Sequence, residues 1–122
     1  MIRGGNATVF VSDLDRAVGF YTQTLGLKLD YRGGEEWAQI DAGDGLKLGL
    51  HLASEKSVRP GSRGSISIGF YATEPLDSLV PKLQQRGVAF HGPIVDDASV
   101  RLAFLGDPDG NELYLCEVIG NS

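Results

Sequence analysis

The sequence predicts an α+β fold, in which two paired βαβββ modules form a cupped mixed β-sheet with the helices on its outside. Three observations carry this prediction. The order strand, helix, strand, strand, strand occurs twice, on either side of a polar stretch. Apolar residues recur at helical spacing once in each half. The hairpin Ile40-Asp41-Ala42-Gly43-Asp44-Gly45-Leu46-Lys47-Leu48 parallels Leu105-Gly106-Asp107-Pro108-Asp109-Gly110-Asn111-Glu112-Leu113. Module one covers about 6–53, a linker about 54–64, and module two about 65–118, all within a single domain, 1–122. A lone module has one open sheet and one helix, so its exposed face must pair with something.

The elements follow in order. Residues 7–11 are β-rich. Ser12 or Asp13 can cap a helix, and Asp15 places negative charge in its first turn. Leu14, Ala17, Val18, Tyr21 and Leu25 share one face of that helix, and Gly26 sits where a left-handed residue ends it. Strands are expected at 27–31, 37–41 and 46–52, with Gly33-Gly34 and Gly43-Asp44-Gly45 as turns. After the linker, 66–70 alternates like a strand. Leu76, Leu79, Val80 and Leu83 line a second helix. Its start is expected near Asp77 or Ser78, which puts Pro81 in the first turn, where its missing N–H matters least. The last strands are expected at 88–90, 99–105 and 112–118.

Composition narrows the function. The 122 residues are 42% hydrophobic and 22% charged, with net charge -5, enough apolar content for a packed core and too little charge for a disordered chain. No run of ~18 apolar residues could cross a membrane. Residues 1–5 lead into the first strand with no apolar leader, and the single Cys116 excludes an internal disulfide, so a cytoplasmic setting is expected. The acidic balance argues against a nucleic-acid partner and leaves room for a cationic ligand.

The motif residues are Val11-Ser12-Asp13-Leu14-Asp15-Arg16-Ala17 with Phe20-Tyr21 and Leu25-Gly26, and then Leu105-Gly106-Asp107-Pro108-Asp109-Gly110-Asn111. In them the chain resembles the vicinal-oxygen-chelate superfamily, which includes glyoxalase I, extradiol dioxygenases, fosfomycin-modifying enzymes and bleomycin-resistance proteins. The resemblance runs from about Asn6 to Val118. The motifs specify a fold more than a reaction. Asp13 can cap a helix, Phe20 and Tyr21 can pack it, and Asp107-Pro108-Asp109-Gly110 is a turn.

In metal-dependent members the ligands are His, Gln or Glu from the first and last strand of each module. The resemblance places those positions at Asn6, Gly49, Ser65 and Tyr114. Divalent transition metals prefer imidazole, carboxylate or thiolate, so no metal and no cofactor is expected here. The register rests on alternation. Leu46, Leu48, Leu50 and Leu52 face the helices, leaving Lys47, Gly49 and His51 for the cup, while Leu113 and Leu115 leave Glu112, Tyr114 and Cys116.

The predicted cup therefore comprises Asn6, Thr8, Phe10, Trp37, Gln39, Lys47, His51, Ser65, Ser67, Glu112, Tyr114 and Cys116, with Tyr71 a further aromatic candidate. Aromatic rings and uncharged hydrogen-bonding groups suit a planar or extended small molecule. His51 reads as a strand-end residue or as a displaced ligand or base, His91 as a loop residue, and Cys116 as a small strand residue rather than an activated thiol. No Ser-His-Asp set and no phosphate loop can be assembled.

The leading expectation is a metal-free small-molecule-binding protein of the bleomycin-resistance type, a homodimer by resemblance. A second is a glyoxalase-like lyase, isomerase or dioxygenase with an atypical metal site around His51 and Glu112. A third is a dimeric scaffold whose cup is filled by Trp37 and Tyr114 packed on each other.

Overall fold

Strand β1 (Ala7–Val11) leads into helix α1 (Leu14–Gly19), a π-helical turn (Phe20–Thr24), and strands β2 (Lys28–Gly33), β3 (Trp37–Gly43) and β4 (Leu46–Leu52). The second module repeats the order with β5 (Ser67–Tyr71), helix α2 (Leu76–Gln85), β6 (Val95–Asp97), β7 (Val100–Gly106) and β8 (Glu112–Val118). The structure is a computed structural model that describes residues 1, 3–55, 57, 59–61 and 66–119. The expected cup is built as two four-stranded mixed sheets, β1-β4-β3-β2 and β5-β8-β7-β6. In each, the first strand of the module lies parallel to the last.

Alternation decides the faces. Leu48, Leu50, Val9, Val11, Ala38 and Ile40 are buried on the helix side of the first sheet. Ile68, Ala103, Leu105, Leu113 and Leu115 do the same in the second. These residues belong to one core cluster with Leu14, Ala17, Tyr21, Leu76 and Leu83 from the helical segments, so the two modules share a single interior. Neighbouring residues point the other way, towards the cup.

Asp13 caps α1 as expected, its side chain accepting from the Arg16 amide at 3.0 Å. Asp13→Ala should cost about 1 kcal/mol in a urea titration. A midpoint unchanged from that of the parent chain would contradict the cap. The helix does not run regularly to Gly26. The Leu25 amide donates to the Phe20 carbonyl at 3.0 Å, five residues back, which is a π-type closure and inserts one residue before Gly26 ends the segment.

Two expectations need correction in module two. Helix α2 begins at Leu76, so Pro81 lies past its first turn. An outside partner supports that early start, because the Leu76 amide donates to Glu117 Oε1 of β8 at 2.8 Å. Residues 88–90 form no strand. The Val88 amide is already used to close α2 on the Leu83 carbonyl, and Phe90 makes only an isolated bridge to Leu105. The pairing strand is Val95–Asp97, beyond Gly92-Pro93.

The β7–β8 turn of module two locks onto the start of module one. The Asp107 carboxylate accepts from the Tyr21 hydroxyl at 2.9 Å, from Asn111 Nδ2 at 3.0 Å, and from the Asp109 and Asn111 amides at 3.0 and 2.9 Å. Asp109 in turn accepts from the Ser12 amide at 3.0 Å, and Asn111 Nδ2 reaches the Phe10 carbonyl at 3.2 Å. Tyr21 and Asp107 are both buried. Burial first, then the adjacent Asp107 charge, drives the Tyr21 phenol far above its ordinary value of 10.0. It stays a neutral donor.

Candidate ligand-binding cup

The residues facing away from the helices form two aromatic surfaces. On the first sheet, Trp37 and His51 are register partners, and the Trp37 indole lies across Gly49 of β4. A Cβ at Gly49 would collide with the Trp37 six-membered ring, so the glycine is the seat of the ring. The indole N–H donates to the Tyr31 hydroxyl at 3.1 Å. The His51 ring sits between Phe10, with centroids 5.4 Å apart, and Trp37, at 6.0 Å. Its Nδ1 lies 2.8 Å from the Leu52 carbonyl.

The same device recurs on the second sheet. Tyr114 lies across Gly69 of β5, where a Cβ would strike its ring, and Phe104 packs beside it with centroids 5.7 Å apart. Ser67 and Tyr71 flank Gly69 on β5, and Tyr71 is 75% exposed. Glu112 pairs with Ser67 and Gly106, and Cys116 with Tyr71 and Leu102.

The polar end of the cup lies on the first sheet. Asn6 Nδ2 donates to Gln39 Oε1 at 3.2 Å, and Thr8 Oγ1 donates to Asn6 Oδ1 at 3.4 Å. Gln39 Nε2 donates to Asp30 at 2.9 Å. Lys47 lies between Asp30 and Asp41, at 3.3 and 3.1 Å. The Gln39 hydrogen bond, then Lys47, holds the Asp30 carboxyl below its ordinary value. The Gly43 amide, then Lys47, does the same for Asp41. Lys28 stands opposite Asp41 in the register, so two carboxylates face two ammonium groups at this end.

The structure thus divides the predicted site. Asn6, Thr8, Phe10, Trp37, Gln39, Lys47 and His51 come together on the first sheet, and Ser67, Glu112, Tyr114 and Cys116 on the second. Ser65 lies outside the described residues. Trp37 and Tyr114 pack on separate sheets rather than on each other. Sequence reasoning missed Tyr31, Asp30, Asp41 and Phe104. Phe104 was findable, because Ala103 and Leu105 are buried on either side of it. Asp30 was not, because its placement follows from a register shift between Leu29 and Tyr31.

At the described positions of the expected ligand set, the side chains do not suit a transition metal. Gly49 has no side chain and is covered by Trp37, Tyr114 leans on Gly69, and Asn6 is bound to Gln39. His51 and Glu112 lie on different sheets. Among the described residues, no group of three or more His, Cys, Asp or Glu side chains is placed to hold a metal ion. A cavity of about 450 Å³ opens on the helix side between the modules; Gly69 and Tyr71 of the second aromatic surface reach its lining, and none of the described first-sheet cup residues does.

A repeated βαβββ chain with two sheets of this topology is the architecture of a two-module α+β domain. The chain belongs to the Glyoxalase/Bleomycin resistance protein/Dioxygenase superfamily, whose sequence profile matches residues 5–115. No curated protein matches it in sequence. Solved structures do match. TnmS3, an antibiotic-binding protein from Streptomyces sp. CB03234, is 29% identical with a TM-score of 0.78, over 97% of each chain. A glyoxalase/bleomycin resistance protein from the same organism is 33% identical, TM-score 0.70, over 91% of this chain and 98% of that one. A superfamily member from Sphaerobacter thermophilus DSM 20745 is 26% identical, TM-score 0.80, over 96% and 98%.

Proposed function

We propose that the protein binds and sequesters a planar, aromatic small molecule in the cup, without breaking bonds in it. The observation that carries this reading is the seating of Trp37 on Gly49, beside Phe10 and His51, with donors unsuited to a catalytic metal. A flat indole beside further rings offers stacking area, and its π face can seat a positive substituent. The likeness to TnmS3, an antibiotic-binding protein, supports the same reading. Both aromatic faces stay partly exposed in one chain, so a homodimer that sets the first sheet of one copy against the second sheet of the other would close the cup. Among the described residues no helix is long and apolar enough to cross a membrane.

Trp37 is the sole tryptophan, so its emission reports the cup alone. We expect saturable quenching by members of a panel of planar aromatic compounds, neutral and cationic, with bleomycin included. Affinities should be micromolar or tighter, about -8 kcal/mol, and sedimentation should give the mass of two chains. A panel with no compound altering the emission, or a bound compound recovered chemically changed, would overturn the reading.

A further inference from the structure

The 450 Å³ cavity on the helix side is explained by where the internal repeat fails. Leu14 and Leu76 open the two helices and are both buried, so Ala17 matches Leu79, Val18 matches Val80, and Tyr21 matches Leu83. The helix ends confirm the match. The Leu27 amide closes on the Tyr21 carbonyl and the Val88 amide on the Leu83 carbonyl, each at 3.0 Å. The hairpins match with Ile40 against Leu105 and Leu48 against Leu113, all fully buried. In that register Ala42 stands for Asp107, and Asp44 for Asp109.

At one junction between the modules, Tyr21 and Asp107 meet in a buried hydrogen bond, and Ser12 and Asp109 meet beside them. At the matching junction the residues are Leu83 and Ala42, with Thr73 and Asp44 beside them. All four line the cavity. The phenol and its carboxylate partner are both replaced by smaller apolar side chains, and the space is left open. Leu25, Leu27, Phe70, Leu79 and Leu115 complete an apolar wall, and Thr73 and Asp44 put a hydroxyl and a carboxylate on its lining. The apolar wall can take an aromatic guest, while the exposed Asp44, Tyr71 and Thr73 leave the mouth of the cavity open to water.

We propose that this cavity is a second small-molecule site, distinct from the Trp37 face of the cup, for a neutral aromatic molecule that carries a hydroxyl group. The ring takes the place that Tyr21 fills at the other junction, and the hydroxyl donates to Asp44, the counterpart of Asp109, because the counterpart of Asp107 is Ala42. The volume is within the range of ordinary ligand pockets and admits more than one ring.

The probe is 2-naphthol, followed by methyl-resolved NMR of the intact chain. Saturable shifts at Leu79, Leu83 and Thr73 are expected, with Trp37 emission unchanged. Leu83→Tyr with Ala42→Asp rebuilds the closed junction and should weaken 2-naphthol at least tenfold. Leu79→Trp fills the cavity from another wall and should do the same if the double variant does not fold. Shifts confined to Trp37 and its neighbours, no shifts at saturating probe, or unchanged affinity in the filling variants would overturn the proposal.

Discussion

Replacing Asp107 by Ala is expected to destabilise the chain by about 3–5 kcal/mol, read as a fall in the urea midpoint. The carboxylate accepts from the Tyr21 hydroxyl, the Asn111 amide group and two backbone amides. Removing it strands the Tyr21 hydroxyl and two backbone amides and leaves Asn111 Nδ2 only its Phe10 carbonyl, and the Tyr21 hydroxyl has no route to water because Tyr21 is 0% exposed. Tyr21→Phe deletes one of these bonds and leaves three, so about 1–2 kcal/mol is expected. A loss below about 1 kcal/mol in Asp107→Ala would mean the turn finds other acceptors. The pair also sets an alkaline limit. The Tyr21 phenol is held protonated in the fold but titrates near its ordinary 10.0 when unfolded. Its contribution is therefore complete below about pH 10 and declines above it, as the unfolded chain gives up the proton. In Tyr21→Phe that part of the alkaline decline should disappear.

Gly49→Val should abolish ligand capture through the cup. The new side chain occupies the volume of the Trp37 ring, so the indole must leave its seat. Emission should shift to the red, and the ligand found by Trp37 titration should bind at least tenfold weaker, about 1.4 kcal/mol. The fold itself should lose about 1–3 kcal/mol from the forced rearrangement. Gly69→Val is the matched control. It displaces Tyr114 on the other sheet and leaves the seat of Trp37 on Gly49 intact, so a smaller emission shift is expected in the free protein. Full affinity in Gly49→Val would remove the indole from the binding surface.

The repeated module was legible because leucines at 46, 48, 50 and 52 and at 113 and 115 set a period of two. Facing residues followed from that period, so most of the first-sheet cup was readable. Elements decided by long-range partners were not readable. Helix α2 starts at Leu76 because Glu117, 41 residues away, takes its first amide. The seat of Trp37 needed the register Gln39↔Gly49 and Trp37↔His51, which places the indole diagonally across the glycine. The helix-side cavity had a faint signal. Tyr21 against Leu83 and Asp107 against Ala42 are the positions where the two halves stop matching in size and polarity.

The lock between Tyr21 and Asp107 spans 86 residues, and that between Phe10 and Asn111 spans 101. On the ribosome the first half therefore emerges long before the groups that finish its interior have been made. Until Asp107 leaves the exit tunnel, the Tyr21 hydroxyl has no acceptor and Ser12 no anion to hold. A chain that lacks that turn lacks every side-chain acceptor described for Tyr21 and Ser12 along the seam. Closure of the seam therefore waits for the second module's last hairpin, whichever parts of the first module have already folded.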